Sequence, residues 1–225
     1  MSAPSPAISE ASEKEKMYND LDKAYKEILI KHLDGRVLKK DKIHSWMNNI
    51  LVEAKEYFIK KYPDYDLFLY INICPINVYF CTKYTSISIV KSDWISNVEF
   101  KTDYLYSVLY YMFYKHVSLN YSLEEYENEI IQSGNEALSK HLEERKYDYD
   151  KAINYNKNIN DEQVNFILDK EKCLRCFILN EIYQNPIKDK FYFKYLSYGK
   201  DIYLRLFQTY NNDSLTSYHI VFFFK

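Results

Sequence analysis

Residues 191–224 read FYFKYLSYGKDIYLRLFQTYNNDSLTSYHIVFFF and carry the strongest strand pattern of the chain. Aromatic and β-branched residues fill three runs, and the turn sequences Gly199-Lys200-Asp201 and Asn211-Asn212-Asp213 separate them. The pattern predicts a three-stranded antiparallel meander. Its strands are Phe191–Tyr198, Ile202–Tyr210 and Leu215–Phe224.

A second group of strands is predicted between residues 66 and 116, where the hydrophobic period changes to two. Apolar residues alternate along residues 67–73, Pro75 ends this run, and β-branched and aromatic residues resume after it. Residues 104–116 are so uniformly apolar that periodicity allows a central strand or a buried helix, and we favour the strand. The other predicted strands of this group are Val78–Tyr84, Ser86–Val90 and Asn97–Lys101.

Helical patterns precede each group of strands. Apolar residues recur at helical spacing along Lys16–Leu33 and Lys42–Lys61, and again along Asn135–Tyr155 and from Asn160 or Asp161 to Ile182. The order is two helices, strands, two helices and strands. This order predicts an α+β fold in which long amphipathic helices pack across an antiparallel sheet.

The domain organisation follows from composition. Residues 1–15 are rich in small and polar side chains and predict a disordered lead, and residues 16–225 predict a single domain. No apolar run in the lead resembles a secretory signal, and the longest apolar runs are shorter than the ~20 residues of a membrane-spanning helix. We therefore expect a cytoplasmic protein with no membrane partner and with reduced cysteines.

Charge and glycine content exclude several functions. The net charge is -2, with 30 basic and 32 acidic residues, so no overall positive field attracts nucleic acid. The only glycines are Gly35, Gly134 and Gly199, and glycine-rich loops that hold phosphate groups need closely spaced glycines. Nucleotide-binding folds of the Rossmann, P-loop and kinase classes are therefore not predicted.

Side chains that could carry catalysis or bind metal are scattered. Cys173 and Cys176 form a CxxC pair, but no second pair completes a zinc site, so buried thiols are favoured over a redox pair. None of the five histidines forms a recognisable nucleophile motif with a Ser or Cys. We predict no catalytic residue, no metal and no cofactor, and therefore a protein that acts by binding a partner.

Aromatic residues are abundant, with 25 Tyr and 13 Phe. Their number indicates either a selected aromatic interface or a compositional bias, and the count alone does not separate the two. Trp46 and Trp94 likewise either anchor helices on the sheet, which we favour, or contribute to an interface.

Short pieces along residues 42–177 occur in an order that matches a known family. The pieces are Ser45-Trp46, Trp94-Ile95-Ser96 with Glu99-Phe100, Asn135-Glu136-Ala137, Tyr149-Asp150-Lys151-Ala152-Ile153 and Asn160-Asp161. In this order they resemble the C-terminal half of the α subunit of F-actin capping protein. The chain departs from that family in its short N-terminal region and in residues 191–224, which stand where the family has a basic amphipathic tail.

This resemblance implies a cytoskeletal protein that caps the barbed end of the actin filament by protein–protein contact, without catalysis. It also implies a dimer with a like or β-type capping subunit. In the family, basic residues near the start of the tail contact actin. The matching positions here are Lys170, Lys172 and Arg175.

Residues 16–119 also resemble dynein light chains of the Tctex type, which have two helices followed by an antiparallel sheet with a Trp before its later strands. Those chains end where the sheet ends, so that everything after Ser122 would be an addition without a counterpart. This alternative implies an adaptor that binds an extended peptide along an exposed strand edge.

Overall fold

A computed structural model describes residues 6–78, 80–88, 93–115, 126–170, 175–185, 192–199 and 202–224. Within these residues the chain forms four helices and eight strands, which confirms the α+β class. The helices are α1 (Pro6–Leu33), α2 (Lys40–Lys61), α3 (Glu127–Leu142) and α4 (Tyr149–Lys170). The strands are β1 (Tyr65–Pro75), β2 (Phe80–Ser88), β3 (Trp94–Lys101), β4 (Leu105–Lys115), β5 (Arg175–Gln184), β6 (Tyr192–Tyr198), β7 (Ile202–Asn211) and β8 (Leu215–Phe224).

The strands form two antiparallel sheets that stack face to face. The first sheet has the order β3-β4-β1-β6, and the second has the order β2-β5-β8-β7. Rings meet between them: the ring centroid of Phe68 lies 5.3 Å from that of Phe177 and 4.8 Å from that of Phe222. Helices α1 and α2 cover the outer face of the first sheet, and α3 and α4 cover that of the second. The fold is thus a four-layer sandwich of helices, sheet, sheet and helices.

This layering explains why several strands lack an alternating pattern. In β1, Leu67 and Leu69 face the helices while Phe68 and Tyr70 face the other sheet, and all four side chains are fully buried. Strand β4 is likewise buried on both faces, which confirms the strand predicted for residues 104–116.

The chain consists of two halves with the same order of elements, and they exchange one strand each. The helices α2 and α4 are both 22 residues long and correspond position by position. Strand β2 of the first half lies in the second sheet, and its counterpart β6 lies in the first sheet. An approximate twofold axis between the sheets therefore relates the two halves.

Side-chain contacts repeat with this symmetry. Glu53 accepts hydrogen bonds from Lys31 and His32, each at 2.8 Å, and Glu162 accepts them from the counterparts Lys140 and His141 at 2.6 and 2.9 Å. Two further pairs also recur. The Arg36 guanidinium lies over the ring of buried Trp46, and its counterpart Arg145 lies over the ring of Tyr155. The ion pair between Lys61 and Asp20 likewise corresponds to the ion pair between Lys170 and Glu129.

Two predicted helices differ from the structure. The helix predicted for 135–155 is interrupted, because α3 ends at Leu142 and α4 begins at Tyr149. Glu144 has a φ of +57° there, at the position where its counterpart Gly35 has +65°, so the break lacks the usual glycine signal. The helix predicted to reach Ile182 ends at Lys170, and the apolar run after it is β5, buried on both faces.

The predicted meander was wrong in its pairing, although its three strands are present. Strand β6 pairs with β1 in the first sheet, whereas β7 and β8 pair with each other in the second. Strands β6 and β7, which Gly199-Lys200-Asp201 separates in the sequence, thus lie in different sheets and do not form a hairpin. At the other end of the chain, α1 begins at Pro6, within the predicted disordered lead.

Candidate functional site

Two of the three basic residues predicted to contact a partner, Lys170 and Arg175, do not share a surface. Lys170 pairs with Glu129 and lies over the ring of Phe166 at 5.4 Å. The Arg175 side chain is fully buried, with Nε 2.5 Å from Asp93 Oδ2 and Nη2 3.0 Å from Oδ1. Lys172 lies outside the described residues. Lys170 and Arg175 therefore serve contacts within the fold.

The cysteines and histidines that the structure describes do not form a metal site. Cys74, Cys81 and Cys176 are free and buried, and burial raises the pKa of the Cys176 thiol. Cys173, the other half of the CxxC pair, is outside the described residues. Among the residues that the structure describes, no group of three or more His, Cys, Asp or Glu side chains could hold a metal ion.

A cleft of about 510 Å³ lies where the edge strand β2 passes the beginning of α4. Two aromatic rings form part of its wall, those of Phe80 and Tyr106, whose centroids lie 5.1 Å apart. Burial and a hydrogen bond to Glu99 raise the pKa of Tyr106. The lining residues are Ile76, Val78, Phe80, Cys81, Thr82, Glu99, Lys101, Tyr106, Tyr149 and Ile153.

Two exposed apolar side chains distinguish this cleft. Tyr149 and Ile153 are one turn apart on α4 and are 53% and 47% exposed. Their counterparts at the start of α2 are Lys40 and His44, which are polar, as expected for a solvated helix face. The fold therefore does not require apolar residues at these positions.

Amide side chains of helix α4 donate hydrogen bonds to the backbone of β2, the strand of the first half that lies in the second sheet. Asn156 donates to the carbonyl of Cys81 at 2.9 Å, and Asn160 donates to the carbonyl of Lys83 at 3.0 Å. The counterparts of these asparagines in α2 are Met47 and Leu51, which cannot donate. The cleft thus has one wall of helix and one of strand, fixed to each other by directional bonds.

A row of polar residues crosses the second sheet beneath α3 and α4. Asn180, His219 and Gln208 are directly paired neighbours on β5, β8 and β7, and all three are buried. In the first sheet the counterparts Ile71, Leu109 and Val98 form an apolar row. His219 is fully buried, neither ring nitrogen has a hydrogen-bond partner among the described residues, and burial lowers its pKa to about 4.

One buried carboxyl group lies on the approximate twofold axis. Glu181 of β5 accepts a hydrogen bond from the amide of its counterpart Asn72, and the Tyr70 hydroxyl lies 3.5 Å from it. Burial raises the pKa of Glu181 to about 8. Because the unfolded chain has the ordinary value of 4.5, the folded state binds the proton more tightly across this range.

Replacing Glu181 with Gln is expected to remove part of the pH dependence of stability. In the natural chain, the stabilisation from protonated Glu181 is complete below pH 4.5 and is lost as the pH rises toward 8. The loss amounts to roughly 3 kcal/mol by pH 7. Urea unfolding across this range would measure it, with the exposed Glu143→Gln as the control, and parallel curves for the natural chain and Glu181→Gln would contradict the prediction.

The sequence analysis did not identify the cleft between β2 and α4. Tyr149 and Ile153 fell inside the predicted helix 135–155, which the structure divides at residues 143–148. The internal repeat offered a usable signal, because Lys31-His32-Leu33 recurs as Lys140-His141-Leu142 and FCTKYTS at residues 80–86 recurs as FYFKYLS at residues 191–197.

The chain matches no protein-family model and no curated protein. None of the helices in the described part of the chain is both long and apolar enough to cross a membrane.

Proposed function

We propose that the chain is a protein-binding module that holds an extended peptide of a partner in the cleft between β2 and α4, without catalysis. The observation that carries the proposal is the exposure of Tyr149 and Ile153 beside an edge strand. Edge strands offer backbone groups that a peptide can pair with, and apolar side chains beside them select its residues.

The repeated architecture supports this proposal over barbed-end capping. The resemblance to Tctex-type dynein light chains covers residues 16–119 and gives everything after Ser122 no counterpart. The elements α3, α4 and β5 to β8 of this later region repeat the order of α1, α2 and β1 to β4. An adaptor built from two such units has the strand edges and flanking helices that peptide binding needs.

Capping of actin filaments stays a prediction from resemblance. Two of its three contact residues are engaged elsewhere, since Lys170 pairs with Glu129 and Arg175 with Asp93. No contact in the described part of the chain favours an actin-binding surface at these positions.

The test uses a library of random peptides about ten residues long, which is enough to span one strand. The full chain is expected to enrich a set of related peptides. The double variant Tyr149→Lys with Ile153→His, which installs the residues of α2, is expected to weaken their binding at least about tenfold, because it removes two apolar contacts from the cleft. Isothermal titration with one synthesised peptide measures the change.

The matched control is Ile30→Ser. Ile30 is an exposed apolar residue that does not line the cleft, and Ser139 is its counterpart. This variant is expected to bind like the natural chain. Failure to enrich any peptide, or equal binding by the double variant with its fold intact by circular dichroism, would overturn the proposal.

A further inference from the structure

The approximate twofold axis creates two related grooves, one between β2 and α4 and one between β6 and α2. In a symmetric dimer of identical units, both grooves would bind the same ligand with the same residues. Here the residues along them differ, so the two grooves can be compared within a single chain.

Polar contacts join the walls of the groove between β6 and α2. The ring of His44 lies edge-on to that of Tyr192, with centroids 5.8 Å apart, and the Lys194 ammonium donates to the Asn48 amide oxygen at 2.9 Å. Lys40 takes the position that Tyr149 has in the other groove. This groove therefore lacks the exposed apolar pair and is spanned by its own side chains.

Unpaired positive charge marks the groove between β2 and α4. Lys83 is the counterpart of Lys194, and Lys157 is the counterpart of Asn48, so two exposed lysines replace a lysine bonded to an amide. Lys101 and Glu99 both line the cleft itself, and the Glu99 carboxylate accepts a hydrogen bond from the Tyr106 hydroxyl. Within the described residues, none of the three lysines forms an ion pair. Exposed lysines without ion-pair partners, such as Lys83 and Lys157, favour an anionic occupant.

We infer that the chain binds one peptide and not two, and that this peptide carries an apolar residue followed by acidic residues. The apolar residue contacts Tyr149, Ile153 and the Phe80 ring, and the acidic residues lie along Lys83 and Lys157 toward the middle of β2. This inference rests on the proposed function, and it adds the number of sites and the chemistry of the ligand.

The number of sites is tested by titrating the full chain with a peptide enriched from the random library. We expect one peptide per chain, bound at least about tenfold more weakly by the double variant Tyr149→Lys with Ile153→His. Two peptides per chain, or one peptide that the double variant still binds while Lys40→Ala with His44→Ala loses it, would overturn the inference and leave peptide binding itself intact. If no peptide binds at all, the proposed function fails as well.

The ligand chemistry is tested with Lys157→Asn, which installs the counterpart residue Asn48. The variant is expected to weaken binding of an acidic peptide roughly two- to fivefold, as exposed charge pairs do, and to reduce its salt dependence. The control is Lys151→Asn, because Lys151 is also exposed on α4 but already lies 3.5 Å from Asp148. Equal losses in both variants, or enriched peptides without acidic residues, would contradict the inferred chemistry.

Discussion

A Leu109→His variant is expected to lose about 3–5 kcal/mol of unfolding free energy. Leu109 is fully buried on β4 between Ile71 and Val98, and it faces the apolar layer under α1 and α2. An imidazole there would lose the apolar contacts of leucine and would find no hydrogen-bond partner on the neighbouring strands. Urea unfolding at neutral pH measures the change, with circular dichroism to confirm the fold.

The reciprocal change His219→Leu serves as the internal control and is expected to stabilise the chain by about 1 kcal/mol. The ring nitrogens of His219 have no partner among the described residues, while its neighbour Asn180 is bonded to Asn156 and Ser217. The stability that depends on neutral His219 is present above pH 6.5 and is lost as the pH falls through about 4, and leucine removes this acid dependence. Equal losses in both variants would show that the two rows are equivalent, contrary to the prediction.

A fragment of residues 1–120 is expected to form a dimer by exchanging β2 between copies. In the full chain β6 pairs with β1, and the fragment lacks β6, so that this edge of β1 is open. Strand β2 and residues 191–197 share Phe, Lys, Tyr and Ser at the same positions, so β2 from a second copy can occupy that edge. Burying β2 also removes an exposed edge, which favours association.

Light scattering of the purified fragment measures this outcome as twice the fragment mass. Adding residues 121–225 as a second fragment is expected to convert the dimer into a one-to-one complex, because both exchanged strands then have their native partners. A fragment that stays monomeric and unfolds cooperatively would show that strand exchange is not required for folding of the first half.

Local patterns predicted most of the elements but not their partners. The period of 3.6 residues identified α2, and the turn residues Asn211-Asn212-Asp213 separated β7 from β8. The run at residues 175–184 was assigned to a helix because a strand buried on both faces shows no alternation. The exchange of β2 and β6 depends on contacts between distant parts of the chain, which no local pattern records.

The candidate site was less predictable than the fold for the same reason. Tyr149 and Ile153 are apolar residues at helical spacing, a pattern that usually indicates a buried face. In the sequence, their exposure is indicated only by the polar counterparts Lys40 and His44, and finding these counterparts requires the two halves to be aligned. Basic residues gave the opposite error, because Arg175 was expected on the surface and is in the interior.

The contact between Asn72 and Glu181 has a consequence for how such a protein can change over time. In an assembly of two identical copies, a residue on the axis meets itself, so a single codon change alters both partners at once. An amide opposite a carboxyl group cannot arise there. With both halves encoded by one gene, each side of the axis mutates separately, and one half can acquire new chemistry while the other continues to hold the molecule together.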